Sequence, residues 1–182
     1  MRGMVCRAVL VLLALVGSGS AVLSQGEIDP TVIERFEFLS RNGNSLCSVA
    51  FMDAIPSLAP GARLQGSCCG PMNLHRYAEQ LDSLKAYAAI ADIPPDPYDV
   101  DAGLAARLLA AYDIELDTAG RAQYVYASAL SDEGGPCCCE CWRWHVFGGL
   151  GKLLIRDHGF GGREVAKVWN LVNGCGGEHA HG

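Results

Sequence analysis

The segment from Pro136 to His145 is rich in side chains that bind metals or exchange disulfides. It contains Cys137, Cys138, Cys139 and Cys141 together with two tryptophans. Thiols at this density are reactive, and we expect them to be cross-linked, bound to a metal or active in redox chemistry. How these thiols are used is therefore the main functional question that the sequence raises.

A second set of soft donors lies earlier in the chain, at Cys68, Cys69, Met72 and His75. Thiolate, thioether and imidazole ligands suit Cu(I) and Zn(II), whereas calcium and magnesium take oxygen ligands. Both sets are expected at helix starts, where thiolates are stabilised. We therefore predict one shared copper or zinc site, with these ligands: Cys68, Cys69, Met72, His75, Cys137, Cys138, Cys139, Cys141 and His145. The leading four in this set are Cys68, Cys138, Cys141 and His145.

Disulfide bonds are an alternative use of the same thiols. Cys68 and Cys69 would pair with two members of the 137–141 run, and Cys47 would pair with Cys175. Each bridge typically contributes about 2–4 kcal/mol by restricting the unfolded chain. The protein would then be a secreted structural or interaction domain without metal. Neighbouring cysteines on one helix point in different directions, which disfavours several bridges to one partner segment.

A thiol–disulfide oxidoreductase is the third interpretation. Cys138 and Cys141 form a Cys-x-x-Cys pair at a predicted helix start, an arrangement that lowers a thiol pKa and supports disulfide exchange. The chain shows no βαβ pattern, which is the context in which this motif is specific. The sequence favours a binding protein over an enzyme and leaves all three interpretations open.

Single residues exclude two familiar signatures. Gly151-Lys152 is not a phosphate-binding loop, because Val146 stands where the first glycine is required and Leu153 stands where Ser or Thr is required. Trp142 follows Cys141 at the position where covalent haem attachment requires histidine. We therefore expect neither chemistry here.

Residues 1–24 have the pattern of a secretory signal peptide. Arg2 and Arg7 supply positive charge, an apolar run extends over residues 8–16, and small residues follow. The run is shorter than the ~20 residues that cross a bilayer, so we predict cleavage and no stable membrane insertion afterwards. The protein is then exported to a periplasmic, cell-surface or extracellular location. Loss of Cys6 would leave eight cysteines in an oxidising compartment.

The acidic charge of the chain disfavours nucleic acid as a partner. The formal net charge is −6, and loss of Arg2 and Arg7 would make it −8, because every acidic residue lies beyond them. A chain without basic clusters binds phosphate backbones poorly. A metal ion is the partner that we predict, and the sequence indicates no particular protein partner.

Apolar residues recur at helical spacing through most of the chain, and N-cap and stop residues bound these stretches. We predict helices over residues 28–42, 45–55, 71–91, 101–112, 117–130, 136–157 and 162–172. In the second helix Cys47 shares a face with Phe51 and Ala54, so we expect a buried thiol or a disulfide partner there. His179 and His181 in the polar tail are further candidate ligands.

The predicted fold is all-α, an irregular, cysteine-rich bundle of six or seven helices. Neither half of the chain holds a complete set of cysteines, so we assign residues 25–182 to a single domain. No strand pattern competes with the helices. The metal and disulfide hypotheses share one requirement, which is that the segment at Cys68-Cys69 must meet the segment at 137–141 in the folded protein.

Overall fold

The computed structural model describes residues 27–176. The predicted signal peptide, and with it Cys6, lies outside the described residues, as do His179 and His181. Within the described range the chain forms seven α-helices and one two-stranded sheet. This confirms the prediction of a mostly helical, cysteine-rich, irregular bundle.

The elements have the following bounds. The helices are α1 (Pro30–Asn42), α2 (Val49–Ala54), α3 (Leu74–Leu84), α4 (Ala102–Ala111), α5 (Thr118–Leu130), α6 (Trp142–His158) and α7 (Gly162–Val172). Short 3-10 turns extend α2 and α3, at Ile55–Ser57 and Lys85–Tyr87. The strands are β1 (Arg63–Gln65) and β2 (Asp99–Asp101).

Side-chain caps set the start of most helices. Asp29, Asp101 and Asp117 each accept a hydrogen bond from a backbone N–H in the first turn of α1, α4 and α5. Such caps typically stabilise a helix by about 1 kcal/mol. The sequence predicts Asp29 and Asp117 as N-caps and offers Asp101 or Asp99 for α4, and α7 begins and ends at the predicted residues.

Three helices begin at least three residues later than predicted. The side chains of Ser48 and Asn73 cap α2 and α3, so Cys47 and Met72 both precede a helix. The helix expected from residue 136 begins at Trp142, and the N–H of Cys141 donates to the carbonyl of Cys139 in a tight turn. The prediction that the cysteine run forms the first helical turns is therefore wrong. These backbone groups are used in caps and turns, which compete with helix extension.

Helix α6 is the centre of the core. Trp142, Val146, Phe147, Leu150 and Leu154 are all fully buried on it. Helix α4 crosses α6 so closely that a Cβ atom added to Gly149 would lie 1.9 Å from the carbonyl oxygen of Leu108. Gly149 therefore allows a close approach of two backbones, which accounts for a residue that lowers the stability of an isolated helix.

Helices α5 and α7 form a second packed pair beside α6. A Cβ atom on Gly162 would lie 2.6 Å from the carbonyl oxygen of Gln123, so this crossing is also close. The indole Nε1 of Trp169 donates to the carbonyl of Phe147 over 2.8 Å. Helix α7 is thereby fixed against α6, and the residues that follow α7 begin next to the loop that precedes α6.

The small sheet was not predicted, because three-residue strands are too short to show alternation. Strands β1 and β2 are antiparallel, with Leu64 opposite Val100. Arg63 donates from Nε to the Asp99 carboxylate over 2.8 Å, and Arg35 pairs with the same carboxylate. The sheet leads the chain directly into the loop that carries Cys68 and Cys69.

None of the helices within residues 27–176 combines the length and the apolar character needed to span a membrane.

Candidate metal centre

Cysteines from four separate segments meet at one end of α6. The contributing segments are the loop before α2 (Cys47), the loop after β1 (Cys68 and Cys69), the loop before α6 (Cys137, Cys138, Cys139 and Cys141) and the residues after α7 (Cys175). We call these eight side chains the cysteine cluster. Loops and helix ends supply them all, and the helical core behind holds the loops in place.

The loop that follows β1 contacts the loop that precedes α6. Cys69 Sγ lies 3.7 Å from Cys139 Sγ and 3.8 Å from Cys138 Sγ. On the outer side, Cys47 Sγ lies 3.1 Å from Cys139 Sγ. The meeting of the two cysteine-bearing segments, which both main hypotheses require, is therefore present.

The remaining sulfur contacts continue this chain inward. Cys68 Sγ lies 3.6 Å from Cys69 Sγ, and Cys137 Sγ lies 3.9 Å from Cys141 Sγ. Four sulfurs around one zinc ion, each ~2.3 Å from the metal, would be separated by about 3.8 Å. Most of the sulfur contacts thus have the spacing of ligands that share a metal ion.

Four groups of three sulfurs are compact enough to hold a metal ion, since all sulfurs of a group lie within 4.8 Å of one another. The groups are Cys47, Cys139 and Cys141; Cys68, Cys69 and Cys175; Cys69, Cys138 and Cys139; and Cys137, Cys138 and Cys175. Every member of the cysteine cluster belongs to at least one group. Cys69, Cys138, Cys139 and Cys175 each belong to two.

Backbone hydrogen bonds fix Cys175 against the loop after β1. Its carbonyl oxygen accepts from the N–H groups of Cys69 and Gly70, each over 3.0 Å. Its own N–H donates to Asn173 Oδ1 over 3.1 Å. Gly176 has a φ of +75°, and a Cβ there would lie 2.1 Å from the carbonyl oxygen of Gly70, so only glycine fits this turn.

Arg143 lies fully buried beside the cysteine cluster. Its guanidinium donates to the carbonyl oxygens of Pro97 and Gly66, over 2.6 and 2.9 Å, while its Nε has no partner. Among the residues that the structure describes, no carboxylate forms an ion pair with it. A buried cation without a counter-ion costs folding free energy. This cost favours thiolates of the cysteine cluster as the anionic partners of Arg143.

Hydrogen bonding within the cysteine cluster lowers the pKa of two thiols, Cys68 and Cys175, which also hydrogen-bond to each other. Hydrogen bonds from Cys137 and Cys141 lower the pKa of Cys68 to about 6, and the charge of Arg143 acts in the same direction. Hydrogen bonds from Cys137 and Cys68, and from the N–H of Cys138, lower the pKa of Cys175 to about 5. A thiolate is the form that binds metals, so part of the site is ready for a cation near neutral pH.

Other thiols of the cysteine cluster keep their protons more firmly. Loss of surrounding water raises the pKa of Cys69 and of Cys139. Cys137 has a raised pKa because its thiol is held by hydrogen bonds to Cys141, Cys175 and Cys68. These thiols must release their protons when a metal binds.

The cysteine cluster has a buried and an open end. Cys137, Cys141 and Cys175 are buried, whereas Cys47, Cys69 and Cys138 are exposed. A cleft of about 140 Å³ opens beside the group of Cys47, Cys139 and Cys141, and its other walls are formed by Ser48, Val49, Met52, Glu140 and Trp142. A small ion can therefore reach the outer group directly from solvent.

Three of the predicted ligands lie apart from this arrangement. The Sδ of Met72 accepts a hydrogen bond from Ser40, and the side chain packs with Tyr77. His75 is exposed on α3. The Nδ1 of His145 lies 3.0 Å from the carbonyl oxygen of its own helix at Cys141. Neither histidine belongs to a group of candidate ligand atoms in the described part of the chain.

Cys47 and Cys175 join the site although neither was in the predicted ligand set. Cys47 is exposed rather than buried, and it contacts Cys139 instead of the predicted disulfide partner Cys175. The sequence placed both residues only in the disulfide alternative, as partners of each other. None of the sulfur–sulfur contacts in the described part of the chain joins Cys138 to Cys141, so the geometry gives the redox interpretation no support.

No protein-family model, curated protein or solved structure matches this chain. The chemistry of the site is therefore inferred from its own residues. Those residues form an all-sulfur donor set that could hold a soft metal ion.

Proposed function

We propose that this protein is exported and binds soft metal ions, Cu(I) or Zn(II), through the thiolates of the cysteine cluster. The observation that carries the proposal is the set of four overlapping sulfur triplets, built from four segments of the chain. Thiolates select Cu(I) and Zn(II) over the hard cations. The two low thiol pKa values and the buried cation Arg143 support an anionic site.

Export is supported by the sequence of residues 1–24 and by the number of cysteines that would remain after cleavage. The test is to express the full chain in a secreting host and to determine the N-terminus of the recovered protein. We expect export and cleavage after Ala21 or Ser24, which gives a new N-terminus at residue 22 or 25. Retention of the whole chain in the cytosol with its starting methionine would contradict export without affecting metal binding.

Metal binding is tested on the purified, fully reduced chain under an inert atmosphere. Cu(I) and Zn(II) are titrated separately in competition with a chromophoric chelator, and bound metal is counted by elemental analysis. We expect tight stoichiometric binding of at least one of the two ions, with protection of the thiols from alkylation. Binding of neither ion would contradict the proposed function.

A disulfide-linked structural or interaction domain is the second candidate function. The 3.1 Å contact between Cys47 Sγ and Cys139 Sγ favours it, since the two sulfurs need only a small movement to bond. Cys69 with Cys138 and Cys137 with Cys141 are also neighbours, which leaves Cys68 with Cys175. Every cysteine of the cluster can thus be given a different partner.

Counting free thiols distinguishes the two functions. The protein recovered from the secreting host is denatured without reductant and treated with a thiol reagent, before and after a chelator. The disulfide function predicts essentially no free thiol in either sample. The metal function predicts several thiols that the chelator releases.

A further inference from the structure

We propose that the cysteine cluster holds four Cu(I) ions joined by bridging thiolates, an inference that rests on the proposed function. The four sulfur triplets are the four sites. Cys69, Cys138, Cys139 and Cys175 are the bridging ligands, because each of them belongs to two triplets.

The number of ligands in each group favours Cu(I) over Zn(II). Structural zinc is almost always bound by four ligands in a tetrahedron. Every compact group among residues 27–176 contains three sulfurs and none contains four. At a metal–sulfur distance of ~2.3 Å, three ligands in a plane with the metal are about 4.0 Å apart. Contacts of 3.6, 3.7 and 3.8 Å within the triplets lie within a few tenths of an ångström of both this value and the tetrahedral one, so it is the count of three sulfurs that favours Cu(I).

The pattern of shared sulfurs describes a cluster rather than separate sites. Three of the triplets form a ring, because each two of them have one sulfur in common. The shared sulfurs are those of Cys69, Cys138 and Cys175, so metal ions and bridging sulfurs alternate around the ring. The fourth triplet attaches to this ring through Cys139. Its other two ligands, Cys47 and Cys141, bind no second ion. This fourth site is the one that faces the open cleft.

The charge of the surroundings agrees with a monovalent ion. Eight thiolates with four Cu(I) ions carry four net negative charges, whereas four Zn(II) ions would make the cluster neutral. The buried guanidinium of Arg143 then has an anionic neighbour, which a neutral cluster would not provide. The positive charge of Arg143 also acts on the Asp96 carboxylate. That carboxylate already accepts hydrogen bonds from the Tyr77 hydroxyl and the Tyr98 N–H.

Binding requires no oxidant or reductant. Each thiol that still carries a proton releases it to solvent as its sulfur–copper bond forms, and the copper remains Cu(I) throughout. The copper must be supplied as Cu(I), for which the acetonitrile complex is a suitable source.

The test uses the reduced full chain under an inert atmosphere, titrated with Cu(I) acetonitrile against a Cu(I)-specific chelator. Native mass spectrometry counts the ions, and X-ray absorption reports the ligands and any nearby metal. We expect saturation at four ions, three sulfur ligands per copper and a Cu···Cu scattering path. Saturation at a single ion, or several ions without a Cu···Cu path, would overturn the proposal and leave metal binding itself intact.

Two serine variants separate bridging from terminal ligands. Cys138→Ser changes a bridge in two triplets, whereas Cys47→Ser changes a terminal ligand in one. Both residues are exposed, and far-ultraviolet circular dichroism checks the fold. We expect Cys47→Ser to lose one ion and keep the Cu···Cu path, and Cys138→Ser to lose two ions and weaken the path. If Cys138→Ser does not fold, Cys69→Ser takes its place in the experiment, because Cys69 is also a bridging ligand. Equal losses in terminal and bridging variants would overturn the assignment of bridges.

Discussion

The sulfurs of Cys47 and Cys139 lie 3.1 Å apart although 92 positions separate the two residues in the chain. Cys47 stands in the loop before α2, and its side chain is exposed. Cys139 stands in the loop before α6 and also contacts Cys69. This pair therefore connects the solvent to the interior of the cysteine cluster.

The first prediction concerns oxidation of this pair. When the metal-free, reduced chain is treated with oxidised glutathione, the Cys47–Cys139 disulfide is expected to form first. Two thiols give up two electrons and two protons, and one glutathione disulfide becomes two thiols. The proximity of the sulfurs and the exposure of Cys47 are the physical reasons. Peptide mapping without reductant identifies the bridge.

Loading with Cu(I) is the control for this experiment, because metal-bound thiolates are protected and the bridge should form far more slowly. The Cys47→Ser variant should show no early disulfide at Cys139. An early bridge between two other cysteines in the unsubstituted chain would contradict the prediction.

The second prediction concerns the buried charge of Arg143. Arg143→Met removes hydrogen bonds to the carbonyls of Pro97 and Gly66 and leaves both without this donor. We expect the free energy of unfolding of the reduced chain to fall by about 2–4 kcal/mol, measured by urea denaturation. Arg107→Met is the matched control, since Arg107 makes an exposed ion pair with Asp92, and a change below about 1 kcal/mol is expected.

The third prediction concerns the crossing of α4 and α6. Gly149→Ala places a methyl group against the backbone of Leu108, which cannot move without separating the two helices. We expect a loss of about 1–3 kcal/mol in the free energy of unfolding, despite the better helix propensity of alanine. Gly103→Ala on the exposed side of α4 meets only the Asp101 side chain, 3.1 Å from the added Cβ, and should change the free energy of unfolding by less than about 1 kcal/mol. Thermal and urea unfolding of both variants test this, and equal stabilities would refute the close crossing.

The fourth prediction concerns the pH at which Cys68 becomes reactive. Hydrogen bonds from Cys137 and Cys141 lower the pKa of this half-buried thiol to about 6, below its ordinary value of 9.0. Because the thiolate is the nucleophile, its alkylation rate should rise as the pH climbs through about 6. Pulsed alkylation of the reduced, metal-free chain, read by mass spectrometry of the Cys68 peptide, gives the midpoint.

The Cys137→Ala variant is the matched control for this measurement. It removes the hydrogen bond that contributes most to the low pKa of Cys68, so the midpoint should move to higher pH. The denatured chain should show the ordinary thiol midpoint. A Cys68 midpoint near 9 in the folded, unsubstituted chain would contradict the prediction.

Local signals were sufficient to predict most of the helices. Asp29, Asp101 and Asp117 cap helices at the expected places because a cap depends only on residues within the first turn. The start of α6 was wrong for a physical reason. Residues 137–141 form turns instead of a helix, and sulfurs of this segment lie close to those of Cys69 and Cys175. These contacts depend on residues far away in the chain.

The site was predictable only in part. The residue types at 68–69 and 137–141 indicated two segments with matching chemistry, and these segments do meet. Cys47 and Cys175 reach the site through the packing of α2 and α7, which no local pattern describes. The role of Arg143 beside the site was not predicted, because arginine side chains are usually exposed and nothing in the local sequence indicates that this one is buried.

The hydrogen bonds from Cys69 and Gly70 to the carbonyl of Cys175 have a consequence for the biogenesis of the protein. Two of the four sulfur triplets include Cys175, which follows the last described helix. A nascent chain that still lacks this segment therefore lacks half of the binding groups. The complete set of four triplets forms only after α7 has been synthesised and has docked, so full occupancy by metal must follow the end of synthesis.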